Sequence, residues 1–187
     1  MSAKYDQIIY ETALKQGFSP IAAKLVVAQA RFESADYSSN VFKNNLNTSG
    51  MKYIGQPLAT KGTLAPANER SEACRNKGVC VNSDHYAKFS SVSDSAKDKI
   101  DRLYNKTMGG VTPQQLKNVK TAEEFAALLK KRKYYGSSES EYARGLKSKL
   151  MRIQVVEFID KNKNMLLIGL GLIGISLGYY FYYRKKA

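Results

Sequence analysis

The stretch Gln29-Ala30-Arg31-Phe32-Glu33-Ser34, followed by Asn44-Asn45 and then Gly50-Met51-Lys52, decides how this chain is read. Just upstream, Ser19-Pro20 predicts a helix start, with Ser as N-cap and Pro at the first helical position, where its missing N–H costs nothing. From Pro20 to about Ser34, Ile21, Leu25, Ala28 and Phe32 recur at helical spacing and predict an apolar stripe. Glu33 falls beside that stripe, near Val26 and Ala30, at the end of the helix. The polar, glycine-containing stretch after it is expected to line a cleft. A carboxyl set against apolar neighbours is held in its protonated form nearer to neutral pH, and so can donate a proton.

Upstream of this helix, Ile8, Ile9, Thr12 and Leu14 predict a short first helix stopped by Gly17. Downstream, Asp36 to His85 is rich in Asn, Ser, Gly, Pro and charge, and is too long for a structureless loop. It is read as irregular structure with a small β-hairpin around Thr60–Cys80. Helical patterning resumes after Phe89: one helix from Ser93 to Tyr104, with Ala96, Ile100 and Leu103 inward, ending before Gly109-Gly110. Thr121-Ala122-Glu123-Glu124 is a capping box for a helix that buries Phe125, Leu128 and Leu129. Ser138-Glu139-Ser140-Glu141 is another, opening a helix that carries Tyr142, Leu146, Leu150 and Ile153 toward Lys161. The expected fold is mainly α over residues 1–160, a helical lobe with a small β-hairpin lobe. Neither repeats nor low-complexity segments interrupt it.

Residues 161–187 read differently. Met165 to Tyr183 carries no charge and approaches the roughly 20 residues that cross a bilayer. Tyr179, Tyr180, Tyr182 and Tyr183 cluster at one end, as an interfacial belt does. Gly169, Gly171, Gly174 and Gly178 would weaken a water-soluble helix but are tolerated in lipid, and Gly174-xxx-Gly178 offers a self-association face. One C-terminal transmembrane helix is therefore expected, with a lipid bilayer as partner. Arg184, Lys185 and Lys186 outweigh Lys161 and Lys163, which leaves the tail cytoplasmic and the large domain outside. No secretory signal opens the chain.

Lys and Arg number 30 against 16 Asp and Glu, a net charge of +14, which calls for an anionic partner. The basic residues are scattered and form no nucleic-acid motif, so a cell-wall polymer or lipid surface is expected rather than nucleic acid. Cys74 and Cys80 stand alone, and His85 is the single histidine, too few ligands for a zinc site. Neither metal nor cofactor is expected. The two cysteines read equally as a local disulfide, possible in an oxidising compartment, or as free thiols.

Ala28 to Ser34, then Asn44-Asn45-Leu46 and Gly50-Met51-Lys52, resemble the glucosaminidase-type family of peptidoglycan hydrolases. That family's pattern reads roughly A-Q-A-x-x-E-S, then N-N-L-F-G-I-K. Asn47-Thr48-Ser49 depart from it by intervening before Gly50. Tyr86-Ala87-Lys88-Phe89 and Ser90-Ser91 resemble the family's F-R-x-Y segment. Lys133-Tyr134-Tyr135-Gly136 through Tyr142-Ala143 resembles its Y-A-T-D-P-x-Y-A block, without the Asp-Pro. The resemblance spans about Ile8 to Leu150. It implies a lysozyme-like (α+β) domain that cleaves the glycan strand of peptidoglycan at N-acetylglucosamine. Glu33 matches the general acid. The second carboxylate belongs on the β-hairpin, where Glu72 is preferred, with Glu69 and then Asp84 as alternatives. Tyr134 or Tyr135 matches the cleft tyrosine. Asn45 is expected at the cleft floor, reaching an N-acetyl group or Glu33, or else satisfying its own turn, and Phe89 joins the substrate-binding positions.

With the C-terminal segment, this reading gives a membrane-anchored wall-cleaving enzyme. It suits either a bacteriophage virion with an internal membrane or a bacterial inner membrane, the enzyme domain facing the wall. Two alternatives stand beside it. A lytic transglycosylase needs one catalytic Glu and fits Glu33-Ser34, although the Gly-Leu-Met-Gln block of that family is missing. A non-catalytic wall-binding or virion scaffold on a degenerate lysozyme fold needs neither carboxylate.

Overall fold

Ser19 caps the helix around which the other elements are arranged: its hydroxyl accepts the Ala22 N–H at 3.2 Å, and Pro20 is the first helical residue. The structure, a computed structural model, describes residues 2–153. The expected membrane segment lies outside them, and no described helix is long and apolar enough to cross a membrane. The elements discussed below fall within one unit, Met1–Leu150, apart from the last three residues of the final helix.

Helix α1 (Ser2–Lys15) packs on α2 (Pro20–Glu33) and on α5 (Val92–Lys99). The single stripe expected for α2 is not what the fold uses. From Ala22 to Arg31 nearly every position is buried, whereas Ile21 is 47% and Phe32 38% exposed. Small residues allow this: Ala22, Ala23, Ala28 and Ala30 let neighbours close in on all sides, so α2 is a core helix rather than an amphipathic one. Gly145 meets it on one side. A Cβ there would lie 2.5 Å from the Phe32 ring, so only glycine allows this approach.

Helix α3 (Asn40–Asn45) leads into the small lobe, a two-stranded antiparallel sheet of β1 (Ala59–Leu64) and β2 (His85–Phe89). Ala59 faces Phe89, and the register shifts between Lys61 and Leu64. The hairpin expected within Thr60–Cys80 is thus corrected at its second strand. His85-Tyr86-Ala87-Lys88-Phe89 supplies the aromatic side chains that pack a sheet, whereas Pro66 and the polar residues after it form a 3₁₀ turn (Ala67–Glu69) and α4 (Glu72–Lys77). Cys74 and Cys80 are disulfide-bonded across the end of this insertion. The extra residues Asn47-Thr48-Ser49 are buried and structural. Asn47 Nδ2 donates to the carbonyls of Met51 (2.8 Å) and Ala87 (2.9 Å), pinning the turn to β2.

The helix expected from Ser93 to Tyr104 splits. After α5 the chain makes a π-helical turn, Ile100–Tyr104. The wider turn rotates the side chains it carries: Tyr104 goes fully inside, while Leu103, expected inward, is left half-exposed. Helices α6 (Pro113–Lys117), α7 (Ala122–Lys131) and α8 (residues 139–153) complete the lobe. Thr121 caps α7, but Glu124 reaches back to the Lys120 N–H (2.8 Å) rather than to Thr121; Phe125 and Leu129 are buried and Leu128 half-buried. The Ser138–Glu141 box closes in both directions, at 3.3 and 3.4 Å.

Candidate active site

Glu33, the last residue of α2, is half-buried with Oε1 accepting a hydrogen bond from the Tyr142 hydroxyl at 2.7 Å. Behind it runs a dry polar chain: Gln29 Nε2 donates to the Tyr142 oxygen at 2.9 Å, and the Tyr104 hydroxyl donates to Gln29 Oε1. Gln29 and Tyr104 are fully buried, so each depends on the other for a partner. Burial first, and the Glu33 charge second, push the Tyr142 hydroxyl far above its usual range, which keeps it a donor at any working pH. Tyr135 stacks on Tyr142 at 3.8 Å, and Phe32 meets it edge-on at 5.4 Å. Glu33, Met51, Lys52, Arg102, Tyr134 and Tyr135 all line one cleft of about 330 Å³.

The backbone just past Glu33 is unusual. Ala35, Asp36 and Tyr37 are consecutive non-glycine residues in the left-handed region, at φ of 50°, 55° and 65°. That conformation is costly for L-residues and persists only where neighbours enforce it. A clasp from α1 does so. Arg31 donates from Nε to both Asp6 oxygens (2.9 and 3.0 Å) and from Nη2 to Oδ2, and the Tyr37 hydroxyl donates to Asp6 Oδ1 at 2.7 Å. The Asp6 hydrogen bond, against an opposing burial effect, raises the Arg31 pKa. Lys149 reaches Asp36 at 2.5 Å from α8.

On the small-lobe side, Lys52 carries the arrangement. Its Nζ lies 2.7 Å from Glu69 Oε2 and 4.2 Å above the Tyr86 ring, and the Tyr86 hydroxyl donates to the same oxygen at 2.8 Å. The Lys52 bond, seconded by Tyr86 and opposed by partial burial, holds the Glu69 carboxyl below its usual range. Burial and then Glu69 push the Tyr86 phenol up to about 12.

The expected residues therefore separate. Glu33, Tyr134 and Tyr135 share the cleft, and Glu69 touches Lys52, which lines it. Glu72, the preferred second carboxylate, is the exposed first residue of α4. Asp84 is buried within the insertion, accepting from Ser71 N (2.5 Å), the Ser71 hydroxyl (2.9 Å) and Val81 N (2.8 Å); these bonds lower its pKa and make it a brace. Asn45 is buried too. Its amide donates to Thr63 Oγ1 (2.7 Å) and accepts the Thr63 N–H (3.0 Å), binding α3 to β1 instead of facing sugar. Gly62 makes room for it, since a Cβ there would sit 2.3 Å from Asn45 Oδ1. Phe89 is buried in the core. His85 is half-buried with Nδ1 3.2 Å from the Val81 carbonyl.

The sequence placed Tyr142 on the last helix and Lys52 in the polar stretch after Glu33, but assigned neither as a partner for a carboxylate. The available signal for the polar chain was Gln29 one turn before Glu33, an i,i+4 pair sharing a helix face.

The comparisons with known proteins bear on the fold and the family. Two solved structures share the fold. The chain is similar to the catalytic domain of the autolysin Auto from Listeria monocytogenes, with 23% identity, a TM-score of 0.54 and 84% of each chain covered. It is similar also to a chain of a type VI secretion system effector-immunity complex from Pseudomonas protegens, with 15% identity, a TM-score of 0.52, and 80% of this chain and 91% of that one covered. No curated protein sequence matches. A family profile, described as mannosyl-glycoprotein endo-beta-N-acetylglucosaminidase, matches residues 9–154, most of the chain. The chain belongs to this glucosaminidase family of glycoside hydrolases.

Proposed function

We propose that the protein cleaves the glycan strand of peptidoglycan as an endo-N-acetylglucosaminidase, with Glu33 as general acid and Glu69 as the second carboxyl. The observation that carries this is Glu33 itself, placed at a cleft wall with one oxygen fixed by Tyr142. Fixing Oε1 leaves the proton on the other oxygen, directed to a glycosidic oxygen in the cleft. Glu69 is held ionised by Lys52 and Tyr86, the state a base or charge-stabilising carboxylate requires. The likeness to an autolysin catalytic domain supports a wall substrate. The net charge of +14 favours an anionic polymer.

The reading extends to a tether. Met165–Tyr183 would hold the domain at a bilayer, with the active site toward the wall and Gly174-xxx-Gly178 available for pairing; a virion membrane or a bacterial inner membrane would serve equally. Retention in the membrane fraction after alkaline carbonate washing is the expected result, and release would remove the tether.

The deciding experiment is digestion of purified peptidoglycan by the detergent-solubilised chain and by Glu33→Gln, with mass spectrometry of borohydride-reduced products. Reduced N-acetylglucosamine ends, absent with the variant, are expected. Anhydro-muramic ends would identify a transglycosylase instead. Undiminished cleavage by Glu33→Gln would sink both readings, and no cleavage by either chain would point to the wall-binding scaffold.

A further inference from the structure

Three charged side chains line the cleft, and two of them are already engaged. Glu33 accepts from the Tyr142 hydroxyl, and the Lys52 ammonium is taken by Glu69 at 2.7 Å. Arg102 is the third. It sits on the π-helical turn Ile100–Tyr104, next to Leu103, which lines the same cleft. Turns of this width are rare and frequently accompany functional sites. Among the described residues Arg102 donates no hydrogen bond. Its Nη1 is buried and unbonded, and Asp98 Oδ2, also buried and unbonded, lies 3.7 Å away. That separation is too long for a hydrogen bond but short enough for charge attraction, so Asp98 holds the head group by its inner edge.

We propose that Arg102 is a substrate-binding residue that takes a carboxylate borne by the glycan strand, and so makes the cleft select acid-bearing glycan over neutral glycan of the same linkage. The role rests on the wall-polymer reading above. With Nη1 turned inward and the side chain 29% exposed, Nε and Nη2 are the donors left accessible. Their N–H groups point the same way and match the two oxygens of one carboxylate, a geometry that a lysine cannot reproduce. Glu33 is the only acid lining the cleft among the described residues, and as a protonated general acid it does not compete for the guanidinium.

The ligand chemistry follows from what distinguishes the polymer. Peptidoglycan and chitin share the β-1,4 linkage and the N-acetyl groups, but alternate sugars of peptidoglycan carry a lactyl ether. Bare, that ether ends in a carboxylate; substituted, it carries a peptide stem with carboxylates of its own. Either source offers the planar anion that the open edge of Arg102 pairs with. Chitin offers none, and would leave the guanidinium facing neutral hydroxyls and amides.

The test measures binding by isothermal titration to the detergent-solubilised full chain carrying Glu33→Gln. Its ligands are short soluble strands, with and without peptide stems, the same strands with every carboxylate converted to a methylamide, and N-acetylglucosamine oligomers of equal length. Adding Arg102→Gln is expected to weaken binding of the acidic strands by roughly tenfold or more and to leave the methylamide and chitin ligands unchanged. Arg102→Lys should recover part of the loss. A loss on the peptide-free strands assigns the carboxylate to the lactyl group; a loss confined to stem-bearing strands assigns it to the peptide. Lys120→Gln removes an equal charge from an exposed position outside the cleft lining, and an equal loss there would trace the preference to net charge and overturn the proposal. Equal weakening of acidic and neutral ligands, or no weakening of any, would overturn it too. Should Arg102→Gln misfold through the stranded Asp98, the chain with Arg102 intact decides: converting the strand carboxylates to methylamides must weaken binding even at high salt, where exposed charges are screened, and undiminished affinity would overturn the role. Failure to bind any glycan, acidic or neutral, would instead remove the wall-polymer reading beneath it.

Discussion

The two lobes hold their carboxylates by opposite means. Glu33 sits at the end of a helix buried on almost every side, against Tyr142, Gln29 and Tyr104 in a chain closed to water. Glu69 ends a three-residue 3₁₀ turn, its side chain 42% exposed, held by Lys52 and the Tyr86 hydroxyl. The first environment is built for a group that must change its charge in place, because low dielectric magnifies every neighbour's influence. The second suits a group that stays ionised and meets water. Under the proposed roles, the general acid belongs to the α lobe, while the small lobe, joined to it through Asn45 and Asn47, would supply a partner whose position depends on the sheet.

Breaking each arrangement in turn should show the asymmetry. The largest effect is expected from Glu33→Gln, a loss of roughly 10³-fold or more in kcat with little change in stability, against about 10²-fold for Glu69→Gln; equal losses on initial-rate measurements would erase the distinction. Next comes Asp6→Ala, which leaves the buried Arg31 guanidinium only the longer contact to Asp36 at 3.6 Å and should cost about 3 kcal/mol in urea denaturation, with activity falling as the turn after Glu33 relaxes. Tyr142→Phe should cost about 1–2 kcal/mol by leaving the Gln29 amide without its acceptor, and lower kcat about tenfold, while KM stays near the native value. Lys52→Met is the smallest. Glu69 is depressed below its ordinary 4.5 in the folded chain, so its contribution to stability is present above that pH and lost as pH falls through the lower folded value. At its exposure this amounts to only a few tenths of a kcal/mol, and the sharper readout is kinetic. The acidic limb of kcat should shift upward once Lys52 no longer lowers Glu69, and an unmoved limb would take Glu69 out of the mechanism.

How far the sequence carried depended on whether a feature was local. Ser19-Pro20, Thr121 and Ser138–Glu141 announced three helix starts because capping is settled within four residues. The place of Glu33 at the end of α2 was legible for the same reason. The strand partner of Ala59–Leu64 was not, since β pairing is decided across the chain and an α-helical, disulfide-closed insertion separates the strands. Periodicity also failed at Leu103, where a π turn adds a residue that no 3.6-residue pattern anticipates. Preferring Glu72 over Glu69 had a similar cause: three positions along the chain they look alike, and only the approach of Lys52, seventeen residues upstream of Glu69, separates them.

The Asp6 clasp ties α1 to the turn that follows Glu33, a link that no distance along the sequence suggests. Asp6 holds Arg31 and Tyr37, which bracket Glu33 on either side and keep the left-handed turn closed. With Glu33 as the proposed general acid, unravelling α1 around Asp6 is therefore expected to lower activity from a distance.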